Sequence, residues 1–402
     1  MKQKLVRLFS PRSEPAGFWL YALHVWTVFG LAISNLFLTA AAFQALRRSG
    51  SRKYPWRQVK SALLPLVLFI ALLVCSAVVS YEPRTSLLEL RQILSYLTFP
   101  LAFVLVRGRV QTRKLVDVLI GVVALLAIFG LAQFFTGSGQ IFNRIRGPFS
   151  HYMTFAGILL IADMLLIAQM ICGKGWQSWW RRIALVVINL ALLGSLTRSS
   201  WVALGLTFTV LLILRAPRYL AAYLPAAVLF IILAPVPLLH RVISIGDLAD
   251  TSNYDRVCMV EAGLKMIRER PLFGLGPGVV RARYPLYRHP SAPRALVPHL
   301  HNTFLQIGAD SGLLSLGAYL WFMGAALCFA YRRYDTASDD DDSDADLFMG
   351  VFLGLAAFNI AGFFENNWGD TEVHRIVLFV AAVPFCLANR GQEADREGAA
   401  LG

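Results

Sequence analysis

A succession of apolar runs, separated by short polar segments, leaves this chain few ways to fold. The runs lie at roughly 18–46, 61–80, 90–106, 115–135, 153–172, 183–197, 200–214, 219–239, 311–330, 347–364 and 374–389, and most of them reach the length needed to cross a hydrocarbon core as a helix. With 57% hydrophobic and 15% charged residues the composition exceeds the apolar content of soluble domains. The sequence therefore predicts an all-α, polytopic membrane protein. We treat 1–402 as a single membrane domain.

The loops between the runs alternate in chemistry. Segment 47–60 carries Arg47, Arg48, Arg52, Lys53, Arg57 and Lys60 without an acid, and 107–114 carries Arg107, Arg109, Arg113 and Lys114. Segments 173–182 and 215–218 are also basic and acid-free, which assigns all four to the cytoplasm. A basic N-terminus without a cleavage site belongs on that side too, as a retained tail. The run 18–46 then has to cross twice. At about 43 Å if helical it is long enough for a pair of short helices bent near Ser34 and Asn35. About twelve spans follow, with both ends cytoplasmic. The acidic stretch 335–346, "DTASDDDDSDAD", falls on the cytoplasmic side as a solvated loop.

The five cysteines give no pair of exported positions for a disulfide and no metal-binding spacing. No internal repeat is visible, and ionisable residues inside the runs are scarce, Asp117 and Asp163 being the main ones, which speaks against a transporter of lipid-linked saccharides.

One exported segment is long, about 240–300. It holds Arg241, Arg256, Lys265, Arg268, Arg270, Arg281, Arg283, Arg288 and Arg294 against Asp247, Asp250, Asp255, Glu261 and Glu269. A basic excess on the exported side opposes the usual bias and points to an anionic ligand. Two shorter exported loops repeat the theme, with Arg144, Arg146 and His151 in "NRIRGPFSHYMT" and Arg198 in "SLTRSSW". Alone, Arg198 reads equally well as an interfacial anchor. Several guanidinium groups converging on one place read as a phosphate site, because the planar fork grips phosphate oxygens in pairs.

Within the long segment, Val257, Val260, Ala262, Leu264 and Ile267 suggest an amphipathic helix that Pro271 ends. Gly274, Gly276 and Gly278 read as turn residues rather than a phosphate cradle. After Pro298 come His299, His301 and Asn302, at the mouth of a helix that runs without a break into a span, with Gly308 and Gly312 permitting close packing by a neighbouring helix. A helix N-terminus and desolvation both favour neutral imidazole, so His301 is a candidate general base.

The order of "TRSS", "NYDR", "ERPLFGLGPG" and "HNTFLQIGADSG" resembles the O-antigen ligase and polymerase superfamily over roughly residues 60–390. Its most specific element is His301-Asn302, nine residues, then Gly312, although Ser315 stands where the family has Gly, Thr or Tyr. The resemblance implies an inverting glycosyltransferase of the bacterial inner membrane, its active site facing the periplasm. Its donor would be a polysaccharide on undecaprenyl pyrophosphate and its acceptor a hydroxyl of lipid A-core.

On that reading His301 is catalytic, Arg144, Arg146, Arg198 and Arg256 bind pyrophosphate, and His299, Asn302 and Gly312 support the site. No cofactor, metal or nucleic acid is expected; the exported carboxylates, Glu365 and Asp370 among them, are dispersed, and arginine charge would replace a divalent ion. A polysaccharide polymerase or a protein O-oligosaccharyltransferase of the same superfamily would share these residues and differ in acceptor.

Overall fold

The computed structural model describes residues 16–27, 29–48, 56–137, 144–233, 239, 242–244, 246, 247, 250–337 and 344–388. The N-terminal tail, Arg52 and Lys53, Arg241 and the centre of the acidic stretch lie outside them. All regular structure among the described residues is helical.

Every run read from the sequence has a helical counterpart. We number them α1 (Ala16–Trp26), α2 (Leu31–Arg48), α3 (Trp56–Val78), α4 (Pro83–Leu105, with a 3₁₀ turn at its centre), α5 (Gly108–Thr136), α6 (Tyr152–Ile171), α7 (Trp179–Gly194), α8 (Arg198–Arg215), α9 (Leu220–Ile232), α12 (Thr303–Ala337), α13 (Ala345–Ala361) and α14 (Thr371–Ala388). The exported segment adds α10 (Thr251–Glu269) and α11 (Val280–Tyr287). Seven of the described helices (α3, α4, α5, α6, α8, α12 and α14) are long and apolar enough to cross a membrane. The first run is indeed a bent pair. The break falls at 27–30, however, not at Ser34 and Asn35, which are helical in α2.

The bundle has an inside and a lipid side. Helix α6 is apolar all round and almost wholly buried, as such a helix must be, and α13 and α14 pack against it. Small residues set the spacing: a Cβ on Gly350 of α13 would lie 3.1 Å from the Leu165 Cα of α6. Around this centre α3, α5, α7, α8 and α12 turn Leu68, Phe129, Val186, Leu206 and Trp321 outward, an apolar belt suited to acyl chains. Helix α12 packs on both α3 and α13.

The loops sort into two ends in the way their charges indicate. At one end Arg109 and Arg113 of α5 bind Asp344 and Asp346 at the start of α13, Arg181 of α7 binds Asp117 of α5, and Gly173 sits against Asp346. These are the segments assigned to the cytoplasm. The acidic stretch is therefore not simply a solvated loop: Asp344 and Asp346 are 3% and 7% exposed, because neighbouring arginines supply the counter-charge that lets them leave water.

Three further expectations change. Helix α12 is broken at Gly312 (φ 83°, ψ 171°), where the Leu272 carbonyl approaches so closely that any Cβ would collide with it. The close neighbour of Gly312 is thus the turn after α10, whereas Gly308 does meet a helix, through Ile267 of α10. In α10 the buried face is Cys258, Met259, Ala262, Gly263 and Met266, and Val257, Val260 and Leu264 are exposed. Finally, the helices hold more ionisable groups than the sequence suggested: Arg375 of α14 is buried on Ser34, Asn35 and Ser95, and Gln306 donates to Asp310 within α12.

Candidate active site

The opposite end gathers the loops read as exported. Helix α12 starts at an asparagine cap, with Asn302 Oδ1 accepting from the Leu305 N–H at 2.9 Å. The same side chain donates through Nδ2 to the Phe363 carbonyl, and Thr303 donates from its N–H to Gly362 and from its hydroxyl to the Glu365 carbonyl. These bonds stitch the start of α12 to the turn between α13 and α14. Just before the cap, His301 adopts a left-handed backbone (φ 48°), which a branchless but bulky side chain enters only when its surroundings hold it there. Its N–H donates to His299 Nδ1, and the Leu300 N–H to Gln306.

That conformation turns the His301 ring onto Glu365, with Nδ1 2.8 Å from Oε1. Both side chains are buried, at 8% and 3% exposure, and the Asn366 N–H also donates to Oε1. Burial alone would raise the Glu365 carboxyl, yet His301, His299 and Arg256 outweigh it and hold the group below the usual carboxylate range. An anionic Glu365 takes the Nδ1 proton as a hydrogen bond, so the acceptor lone pair of a neutral ring is on Nε2. Nε2 is buried and has no partner among the described residues.

His299 packs its ring 4.3 Å from that of His301, with Nε2 3.9 Å from Glu365 Oε1. Burial pushes its pKa down to about 4, against the pull of Glu365. The ligand atoms of His299, His301 and Glu365 lie within 4.8 Å of one another, a set able to hold a metal ion. The sequence reading found no such set because its carboxylate comes from a loop 64 residues away.

A cavity of about 360 Å³ opens beside His301, lined by Arg198, Arg256, Asn253 and Asn302 on its polar side and Val257 and Phe363 on its apolar side. Arg198 opens α8 two residues after Leu196, a second left-handed residue (φ 51°), and is 9% exposed. Its guanidinium donates to the backbone and hydroxyl of Ser244 and, at 3.4 Å, to Asp250, the residue that caps α10. Arg256, one turn into α10, has no hydrogen bond or ion pair among the described residues. Burial lowers its pKa, Arg198 and Arg294 act in the same direction, and Glu365 opposes them.

The fold thus brings His301, His299, Asn302, Arg198 and Arg256 together. Arg144 stands behind this group, its guanidinium 4.4 Å from the Tyr152 ring, beside His151, whose pKa burial lowers within electrostatic reach of Glu365 and His301. Arg146 is not brought in: it donates to the Phe149 carbonyl and lines a separate cavity of about 440 Å³ with Gln133 and Phe129. Gly312 shapes the support of α12 rather than the cavity. Gly274, Gly276 and Gly278, all at positive φ, pack on Asp310, Ser80 and Glu89 as a tight turn, as read.

Glu365, counted from the sequence among dispersed carboxylates, is instead the buried partner of His301. The available signal was an acid in the short loop joining the last two apolar runs. Asp370 lies near it, bound by the Thr154 hydroxyl at 2.7 Å, and burial raises its pKa to about 7.

This arrangement is chemically specific. A buried imidazole that lines a cavity, with one nitrogen fixed by a carboxylate and the other left without a partner among the described residues, can take a proton from a hydroxyl, and guanidinium groups lining the same cavity can hold a polyanion. None of the curated proteins compared matches this chain. The family model described as O-antigen ligase matches residues 183–321, a stretch that includes Arg198, Arg256, His299, His301, Asn302 and Gly312. Over that stretch the chain matches the O-antigen ligase family, as its motifs indicated.

Proposed function

We propose that the protein is an O-antigen ligase: an inverting, metal-independent glycosyltransferase that moves a polysaccharide from undecaprenyl pyrophosphate to a hydroxyl of lipid A-core, on the periplasmic face of the bacterial inner membrane. The observation that carries the reading is the Glu365–His301 pair, with His301 in the lining of the cavity of Arg198 and Arg256 and its Nε2 buried without a hydrogen-bond partner among the described residues.

In this scheme His301 Nε2 takes the proton of the acceptor hydroxyl as its oxygen attacks the anomeric carbon. The bond from that carbon to the pyrophosphate oxygen breaks, and undecaprenyl pyrophosphate leaves with the electron pair. Arg256 and Arg198 stabilise the charge that grows on the leaving group, with Arg144 adding to the field behind them. Arg256 is suited to this because no carboxylate among the described residues already occupies it. Attack opposite the leaving group inverts the anomeric centre. Glu365 acts through His301, fixing the tautomer and stabilising the imidazolium, as a positioning residue.

The turn between α13 and α14 gives the site an apolar flank in Phe363 and Phe364, 58% and 43% exposed, fitting a donor whose tail stays in lipid. Complementation of a strain lacking its ligase tests the reaction. Long-chain lipopolysaccharide should reappear as a ladder on a gel; no ladder there, with chain elongation restored in a strain lacking its polymerase, would reassign the protein to polymerisation.

A further inference from the structure

A second cationic cavity lies at the other end of the bundle, where the acid-free loops 173–182 and 215–218 meet. About 760 Å³ in volume, it is enclosed by the ends of α6 and α8 and the start of α9. Arg215 and Arg218 stand at its rim, Trp176 and Tyr219 beside them, and Phe208 and Leu212 form its floor. Arg215 lies within electrostatic reach of the Tyr334 hydroxyl of α12, and Arg218 donates to the Tyr219 hydroxyl and lies 4.9 Å from that ring.

At the same end Arg109 and Arg113 are matched to Asp344 and Asp346, and Arg181 to Asp117. Among the described residues neither Arg215 nor Arg218 has a carboxylate partner. The cavity also combines two chemistries in the order of a membrane interface. Its floor continues into the exposed apolar surface of α8, including Ile213 and Leu214, and its rim carries guanidinium groups with aromatic rings 56% and 52% exposed.

We propose that this cavity binds an anionic phospholipid, its phosphate held by Arg215 and Arg218 and an acyl chain lying along Phe208 and Leu212. The charge complementarity selects a lipid with net negative charge over a zwitterionic one, and the apolar floor selects a lipid over free phosphate. A bound lipid would also fill the gap between α6, α8 and α9, steadying the end of the helix that Arg198 begins. The proposal stands independently of the reaction at the other end.

The test is a titration of the full-length protein in neutral detergent micelles with fluorescent phosphatidylglycerol, and with phosphatidylcholine of the same chains. Phosphatidylglycerol should bind more tightly, and glycerol phosphate or inorganic phosphate should not compete at millimolar concentration. Arg218→Gln should weaken phosphatidylglycerol about fivefold, and Arg215→Gln/Arg218→Gln about thirtyfold, the factors for one and two basic contacts at an anionic surface. Because Arg215 also lies beside Tyr334 of α12, Arg218→Gln is the variant to judge by if the double variant melts early. Equal binding of the two lipids, unchanged affinity in Arg218→Gln, or full competition by free phosphate would overturn the proposal.

Discussion

Both ends of the bundle are rich in basic residues and use them differently. At the end of Asp344 and Asp346 the acids are buried and each is gripped by an arginine, so the charges cancel locally and clasp α5 to α13. At the end of His301 one buried carboxylate serves two histidines, Arg256 has no acid of its own among the described residues, and Arg198 has only a 3.4 Å contact with Asp250. Paired charge fastens helices together. Charge left partly uncompensated beside a cavity is a debt that a ligand of opposite sign can settle, and its location is the better guide to function.

The largest effects should therefore come from the second end. Arg256→Ala is expected to reduce glycan transfer by at least about a hundredfold, the scale for losing one preorganised donor to developing charge, measured with purified protein and lipid-linked donor. Arg198→Ala should behave similarly. Arg198→Lys keeps the charge but cannot donate to Ser244 and a phosphate in the same plane, so it should recover only part of the rate. Normal transfer by both alanine variants, at wild-type protein levels, would erase the distinction between the ends.

At the clasp the effect should fall on stability instead. Arg113→Ala leaves Asp346 buried with one partner fewer, and between the values for exposed and fully buried pairs this costs about 1–3 kcal/mol. The melting temperature in detergent should drop while transfer per folded molecule stays within about twofold, since the change lies outside the catalytic machinery. A selective loss of turnover would mean that the clasp communicates with the site.

Asp370 offers a smaller, pH-dependent effect. Its folded pKa, raised to about 7 by burial, lies above that of the unfolded chain, so its contribution is complete at pH below about 4 and is lost as pH rises through about 7. Asp370→Asn should flatten the decline of melting temperature across that window; an unaltered slope would show that Asp370 ionises as freely in the folded protein as in the unfolded one. The smallest expected effect concerns metal. Transfer should be unchanged by excess chelator, because the scheme places arginines on the pyrophosphate. Activity lost to chelator and restored by a divalent ion would reassign His299, His301 and Glu365 as its ligands.

Much of the frame was legible from the sequence because lipid imposes one simple requirement, a helix of sufficient apolar length, and the basic loops carry their own address. The candidate site was legible in Arg198, Arg256 and His301, whose residue types are rare on an apolar background, whereas Arg146 lies at a separate cavity. What escaped was set by long-range contact. The pairing of Glu365 with His301 joins residues 64 apart, and the capture of Asp344 and Asp346 by Arg109 and Arg113 joins residues more than 230 apart. The break at Gly312 has a similar origin: a glycine in an apolar run reads as helix packing, and only the approach of Leu272 shows why the chain must turn there.

If His301 removes the proton from the acceptor hydroxyl with Glu365 behind it, a single-turnover measurement with preloaded donor will show the loss in the chemical step itself. His301→Ala should transfer at least about 10²-fold more slowly, within the 10²- to 10⁴-fold range of a positioned base, with donor affinity unchanged. Glu365→Gln should fall between this variant and the wild type, and His299→Ala should be milder than His301→Ala. Near-normal turnover by His301→Ala, or a loss explained entirely by failure to bind the donor, would contradict the account.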